Sequence, residues 1–119
     1  MSAPTLTFVE GTTLAFETTW SSNDDACTPV DITGCTARFA VMPATSRRVL
    51  VDCTTENGGI TLEPLLGRLA IRVAPSDTAG QYSKVWDGAR YELRVTFPSG
   101  DVYSLLRGTV SMEPGVIDD

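Results

Sequence analysis

The sequence contains no histidine and only three cysteines, Cys27, Cys35 and Cys53. Without histidine, neither a Ser-His-Asp triad nor a Cys-His pair can be assembled. The cysteines form no CxxC pair, and their spacing matches no zinc motif. They are expected to be free or core thiols of a reducing compartment, with a Cys27–Cys35 bridge left open for an oxidising medium. Cationic side chains are also few: 9 Lys and Arg stand against 15 Asp and Glu, a net charge of −6. Attraction to phosphates needs clustered basic residues, so binding to DNA, RNA or an anionic membrane is disfavoured. No apolar run approaches the roughly 18 residues of a membrane helix. The opening residues Met1 to Phe8 carry neither the basic segment nor the apolar stretch of a secretory signal. The chain is therefore expected to fold in the cytoplasm of the cell that makes it.

What is present is β patterning. At 119 residues with 42% hydrophobic content, the chain fits one domain, 1–119, with one packed core. Its best-specified stretch runs from Arg90 to Met112. Tyr91, Leu93, Val95 and Phe97 alternate with Arg90, Glu92, Arg94 and Thr96, the period of a strand with one buried face. Pro98-Ser99-Gly100-Asp101 is turn chemistry, and the β-rich run Val102 to Met112 completes a long hairpin.

Earlier segments repeat the theme. Thr5 to Val9 reads as an opening strand. Thr12 to Trp20 is a second, with Leu14, Phe16, Thr18 and Trp20 inward and Ala15, Glu17 and Thr19 outward. Trp20 is expected to anchor the core or its rim. Ser21 to Thr28 is a polar loop. Pro29 to Gly34 is a structured turn in which Asp31 and Thr33 bond local backbone. Cys35 to Met42 places Ala37, Phe39 and Val41 inward, and Val49 to Thr54 follows. Asn57-Gly58 is the preferred dipeptide of a two-residue hairpin turn. Ile60 to Glu63, a turn at Pro64 to Gly67, and Arg68 to Val73 come next, with Leu69, Ile71 and Val73 inward. Ala74 to Asp87 breaks the period and reads as a loop with one helical turn. Eight or nine short strands and scarcely any helix predict an all-β fold, an antiparallel β-sandwich.

Chemistry is not marked. Asn23, Asp24 and Asp25 lack the alternation and closing glutamate of a calcium loop. Cys53 sits inside a strand with no base nearby in sequence, as a core thiol would. The glycines lie at turns, not between a strand and a helix where a phosphate would bind. No catalytic, cofactor-binding or metal-binding residue is assigned, and an enzyme is not expected.

A family likeness is carried by Asp31, Gly34, Thr36, Ala37 and Arg38, by Asn57-Gly58-Gly59, by Asp77-Thr78-Ala79, and by Gly100 with Leu105, Leu106 and Gly108. On these residues the chain resembles small tailed-bacteriophage virion structural proteins, similar to the N-terminal domain of the siphophage baseplate upper protein. The resemblance implies an immunoglobulin-like β-sandwich of about eight strands. It implies a tail, baseplate or fibre-adaptor component that acts by oligomeric assembly in the virion, with other virion proteins as partners. A capsid decoration or cement protein is the alternative. A carbohydrate-binding module, stacking sugars on Trp20, Tyr82, Trp86 and Tyr103, is the third reading.

Overall fold

Alternating apolar residues form strands because one face can be buried while the other stays wet. The computed structural model, which describes residues 5–9, 11–22, 28–44, 49–78, 86 and 88–113, contains eight strands among them. These are β1 (Leu6–Val9), β2 (Leu14–Thr19), β3 (Thr36–Met42), β4 (Val51–Thr54), β5 (Ile60–Glu63), β6 (Arg68–Val73), β7 (Arg90–Thr96) and β8 (Val102–Glu113). One sheet has the order β1-β8-β7-β3-β4 and the other β2-β6-β5. The fold is all-β, in two sheets.

Both sheets contribute to one apolar core. Ala37, Phe39, Val41, Leu93 and Val95 enter from the five-stranded sheet, and Ile60, Leu69, Ile71 and Val73 from the three-stranded one. The Phe16 and Phe39 rings meet edge-on across the two sheets, 5.5 Å apart. Each fully buried Val, Leu, Ile or Phe side chain among these contributes about 1.5–3 kcal/mol. The inward residues of β2, β3, β6 and β7 are those the alternation indicates.

The long hairpin forms as expected, with a turn closed by Phe97 N–H to Asp101 O (2.8 Å) and Gly100 N–H to Phe97 O (2.9 Å). It also contains a β-bulge. Register runs from Arg90↔Thr109 to Leu93↔Leu106, then resumes at Arg94↔Ser104, leaving Leu105 as the extra residue. The bulge changes the phase of β8. Leu106 and Gly108 oppose the buried Leu93 and Tyr91, whereas Tyr103 opposes the buried Val95. This is why Val102 to Met112 does not alternate cleanly along its length.

Three expectations are corrected. The sheets are not wholly antiparallel, because β1 runs parallel to β8, with Leu6 opposite Val110 and Phe8 opposite Met112. Alternation specifies which face of β1 is buried but not its direction, and either direction would put Phe8 inward. Asn57-Gly58 does not close a hairpin: β4 pairs with β3, β5 pairs with β6, and the turn carries the chain from one sheet to the other. The Asn57 side chain holds this crossover. Its Oδ1 accepts from Thr54 N–H and Gly59 N–H (both 2.9 Å), and its Nδ2 donates to Asp52 O (3.0 Å). Third, Trp86 is fully buried against Phe8, ring centroids 5.1 Å apart, so it is a core residue and cannot stack a ligand. Within Ala74 to Asp87 the described residues include a 3-10 turn at Pro75–Asp77, and Trp86 is also in 3-10 conformation. Tyr82, Cys27 and the Asn23-Asp24-Asp25 run lie outside the described residues.

Candidate functional site

The turn Pro64–Leu66 brings Leu65 and Leu66 to the surface. β5 ends in a 3-10 turn, Pro64–Leu66, which Gly67 terminates in the left-handed conformation at φ 61°. Trp20, just past β2, donates its N–H to Gly67 O (2.8 Å) and accepts from Val30 N–H (2.9 Å). Ile32 N–H donates to Pro64 O (3.1 Å). These bonds tie the end of β2, the segment before β3 and the β5–β6 turn together.

On this frame Trp20, Phe97 and Tyr103 form a triangle. Ring centroids are 5.8 Å apart for Trp20–Phe97 and 5.5 Å for both Trp20–Tyr103 and Phe97–Tyr103. The two contacts of Phe97 are edge-to-face, the arrangement ring quadrupoles favour. Trp20 comes from the strand edge of one sheet, and Phe97 and Tyr103 from the hairpin of the other. Trp20 is thus the half-buried rim anchor its pattern indicates. Tyr103 is 46% exposed, Val102 52%, Leu66 46% and Leu65 76%. Scattered surface leucines are ordinary, but Leu65 and Leu66 sit in the turn that Gly67 bonds to the Trp20 backbone, beside the cluster that holds Tyr103, whereas Val102 opposes Thr96 on the other face of its sheet.

Of the four proposed sugar-stacking residues, the structure joins Trp20 and Tyr103. Their rings are tilted by 52° to each other, unlike the shared plane that a flat sugar-binding platform presents. Alternation by itself does not bring Tyr103 to Trp20, because the contact depends on how one sheet lies over the other. Two leucines inside the proline-led turn Pro64-Leu65-Leu66-Gly67 are the sequence signal that points to this surface.

The thiols are positioned for packing. Cys35 and Cys53 are free and buried. Burial, with Asp77 and Asp52 adding repulsion, pushes the Cys53 thiol up to about 11, and its Sγ donates to Arg72 O at 3.5 Å. Burial and the Asp31 charge raise Cys35 as well. Neither is a ready nucleophile, since the thiolate is the reactive form. Asp31 accepts from the N–H and the hydroxyl of Thr33, which lower its pKa, hydroxyl first. That is a turn-stabilising role, as the Pro29 to Gly34 pattern indicates. A shallow cleft of about 400 Å³ lies over the three-stranded sheet between Glu17, Thr61, Ala70 and Arg72. Among the described residues no three metal-ligating side chains converge, and no helix is long and apolar enough to cross a membrane. The exposed aromatic and aliphatic side chains offer contact area of the kind that protein–protein interfaces use. Compared with known protein families, the chain matches none, and no curated protein matches it either.

Proposed function

We propose that the chain is a bacteriophage virion structural protein with an immunoglobulin-like β-sandwich. It serves as a tail, baseplate or fibre-adaptor component and acts by assembly in multiple copies. The observation that carries this reading is the exposed Tyr103 of the Trp20–Phe97–Tyr103 triangle, with exposed Leu65 and Leu66 in the turn bonded to the Trp20 backbone. Aromatic and large aliphatic side chains in one cluster are the usual anchors of protein–protein contacts.

The motif residues support the reading through their positions. Asp31 closes the turn before β3, Gly34 takes φ 80°, and Asn57 holds the crossover. Gly108 lies beneath the Tyr91 ring, where a side chain would begin 2.8 Å from Cε2. They specify a scaffold, and partner choice falls to the surface built on it.

The test is mass spectrometry and immunogold labelling of purified particles of the phage that encodes the chain. Label confined to the tail tip is the expected result. Label over the head would replace this role with capsid decoration, and absence of the chain from particles would overturn both.

A further inference from the structure

Charge is distributed unevenly over the molecule. Strand register places Arg38, Arg90, Arg94 and Arg107 on the outer face of the five-stranded sheet, where Arg38 opposes Arg94 and Arg107 opposes Glu92. The same face carries Asp52, Glu92 and Glu113. Its charge is therefore +1, whereas the other described residues, six acids against Arg68 and Arg72, sum to −4. Asp52 is engaged by Arg38 (2.9 Å) and Glu92 by Arg94 (2.8 Å). Arg90 and Arg107 have no ion pair among the described residues and are exposed. They are diagonal neighbours, because Arg90 pairs with Thr109, two residues along from Arg107. Like charges gathered on one sheet face repel, so this face gains from an incoming carboxylate.

The aromatic patch has the opposite rim. Asp31 and Asp101 belong to adjoining turns, since the space beside Gly34 is bounded by Pro98 Cγ at 3.2 Å. Glu63 precedes Pro64, whose carbonyl accepts from Ile32 N–H. Asp31, Glu63 and Asp101 are all exposed; Glu63 is held by Arg68 at 3.3 Å, which leaves Asp31 and Asp101 as the carboxylates of this rim outside an ion pair among the described residues. An apolar, aromatic surface edged by carboxylates is complementary to guanidinium groups, which stack on aromatic faces and pair with carboxylates in a bidentate fork.

We propose that two copies of the chain dock through these unlike surfaces, the acid-rimmed aromatic patch of one against the arginine face of the next. The proposal rests on the assembly reading above and names its partner as a second copy. Each copy carries both halves, so the contact either propagates or closes into a ring.

The test uses the full chain in sedimentation velocity at high micromolar concentration. Two variants are compared with it, Arg90→Glu/Arg107→Glu on the face and Leu65→Ser/Tyr103→Ser on the patch. Circular dichroism and melting temperature verify that both fold. The unmodified chain is expected to self-associate at ~50 mM salt and to dissociate near 1 M, where the screening length falls to about 3 Å. Each variant alone is expected to be monomeric. An equimolar mixture should form a heterodimer, because one variant keeps its patch and the other its face. A chain that stays monomeric at low salt, variants that still associate, or a mixture that does not would each overturn the proposal. Binding of the unmodified chain to duplex DNA without self-association would overturn it too. Its failure is separable from that of the virion reading: a monomeric chain found in particles sinks only the self-contact, and an associating chain absent from particles sinks only the virion role.

Discussion

Trp20 and Gly67 are locked together across β2 and β6: Trp20 N–H donates to Gly67 O, and a side chain at Gly67 would begin 2.4 Å from the Trp20 carbonyl oxygen. Only glycine allows this approach, and the left-handed φ of 61° reinforces the requirement. Gly67→Ala should destabilise the fold by more than ~2 kcal/mol, combining backbone strain with a steric clash. Urea unfolding should record the loss. Because Trp20 is displaced with Gly67, its fluorescence should shift to the red before global unfolding.

The hairpin offers a contrasting pair. Val95 is completely buried, opposite Ala37 on one side and Tyr103 on the other. Val95→Asp places a carboxylate there with no partner, a change that should remove more than ~4 kcal/mol and prevent folding. Ser99 lies at the exposed turn, where its hydroxyl reaches the Asp101 carboxylate at 3.0 Å. Ser99→Ala should change stability by no more than ~0.5 kcal/mol. An unchanged melting temperature for Val95→Asp would invalidate the assignment of the buried face.

Asn57 is the third test position. Its side chain makes three bonds to backbone around the β4–β5 crossover, and its own N–H donates to Thr54 Oγ1 at 3.0 Å. Asn57→Ala should lose about 1–2 kcal/mol. Asn57→Asp retains the Oδ1 acceptor but not the donor to Asp52 O, so its loss should be smaller. Equal losses in chemical denaturation would show that the acceptor role is unimportant.

Alkaline stability tests Cys53. Its folded pKa of about 11 lies above the ordinary thiol value of 9.0, chiefly through burial. The folded state therefore holds the proton more tightly than the unfolded chain. The resulting stability is fully present below pH 9 and is lost as pH rises towards 11. The melting temperature should fall across that window more steeply for the native chain than for Cys53→Ala. Parallel profiles would argue against a buried, neutral thiol.

Much of this architecture is legible in the amino-acid order. The inward sets Ala37, Phe39, Val41 and Leu69, Ile71, Val73 follow from alternation, because a strand has a two-residue period and one dry face. The hairpin turn at Pro98 to Asp101 and the Asp31–Thr33 turn follow from local chemistry, since each closes through bonds within a few residues. The reversal at Pro64 to Gly67 is local for the same reason. Alternation fails at Leu105, where a bulge shifts the phase of β8 for reasons that lie in its pairing with β7.

Tertiary structure alone decided the remaining features. Whether β1 runs parallel or antiparallel, and whether Asn57-Gly58 closes a hairpin or crosses between sheets, depends on partners distant in sequence. The candidate site belongs to this second class. Trp20 meets Tyr103 because two sheets share a core, and Arg107 lies beside Arg90 because of strand register. Periodicity specifies which side of each strand is buried. Only the assembled sheets bring residues of different strands together, and there the proposed function resides.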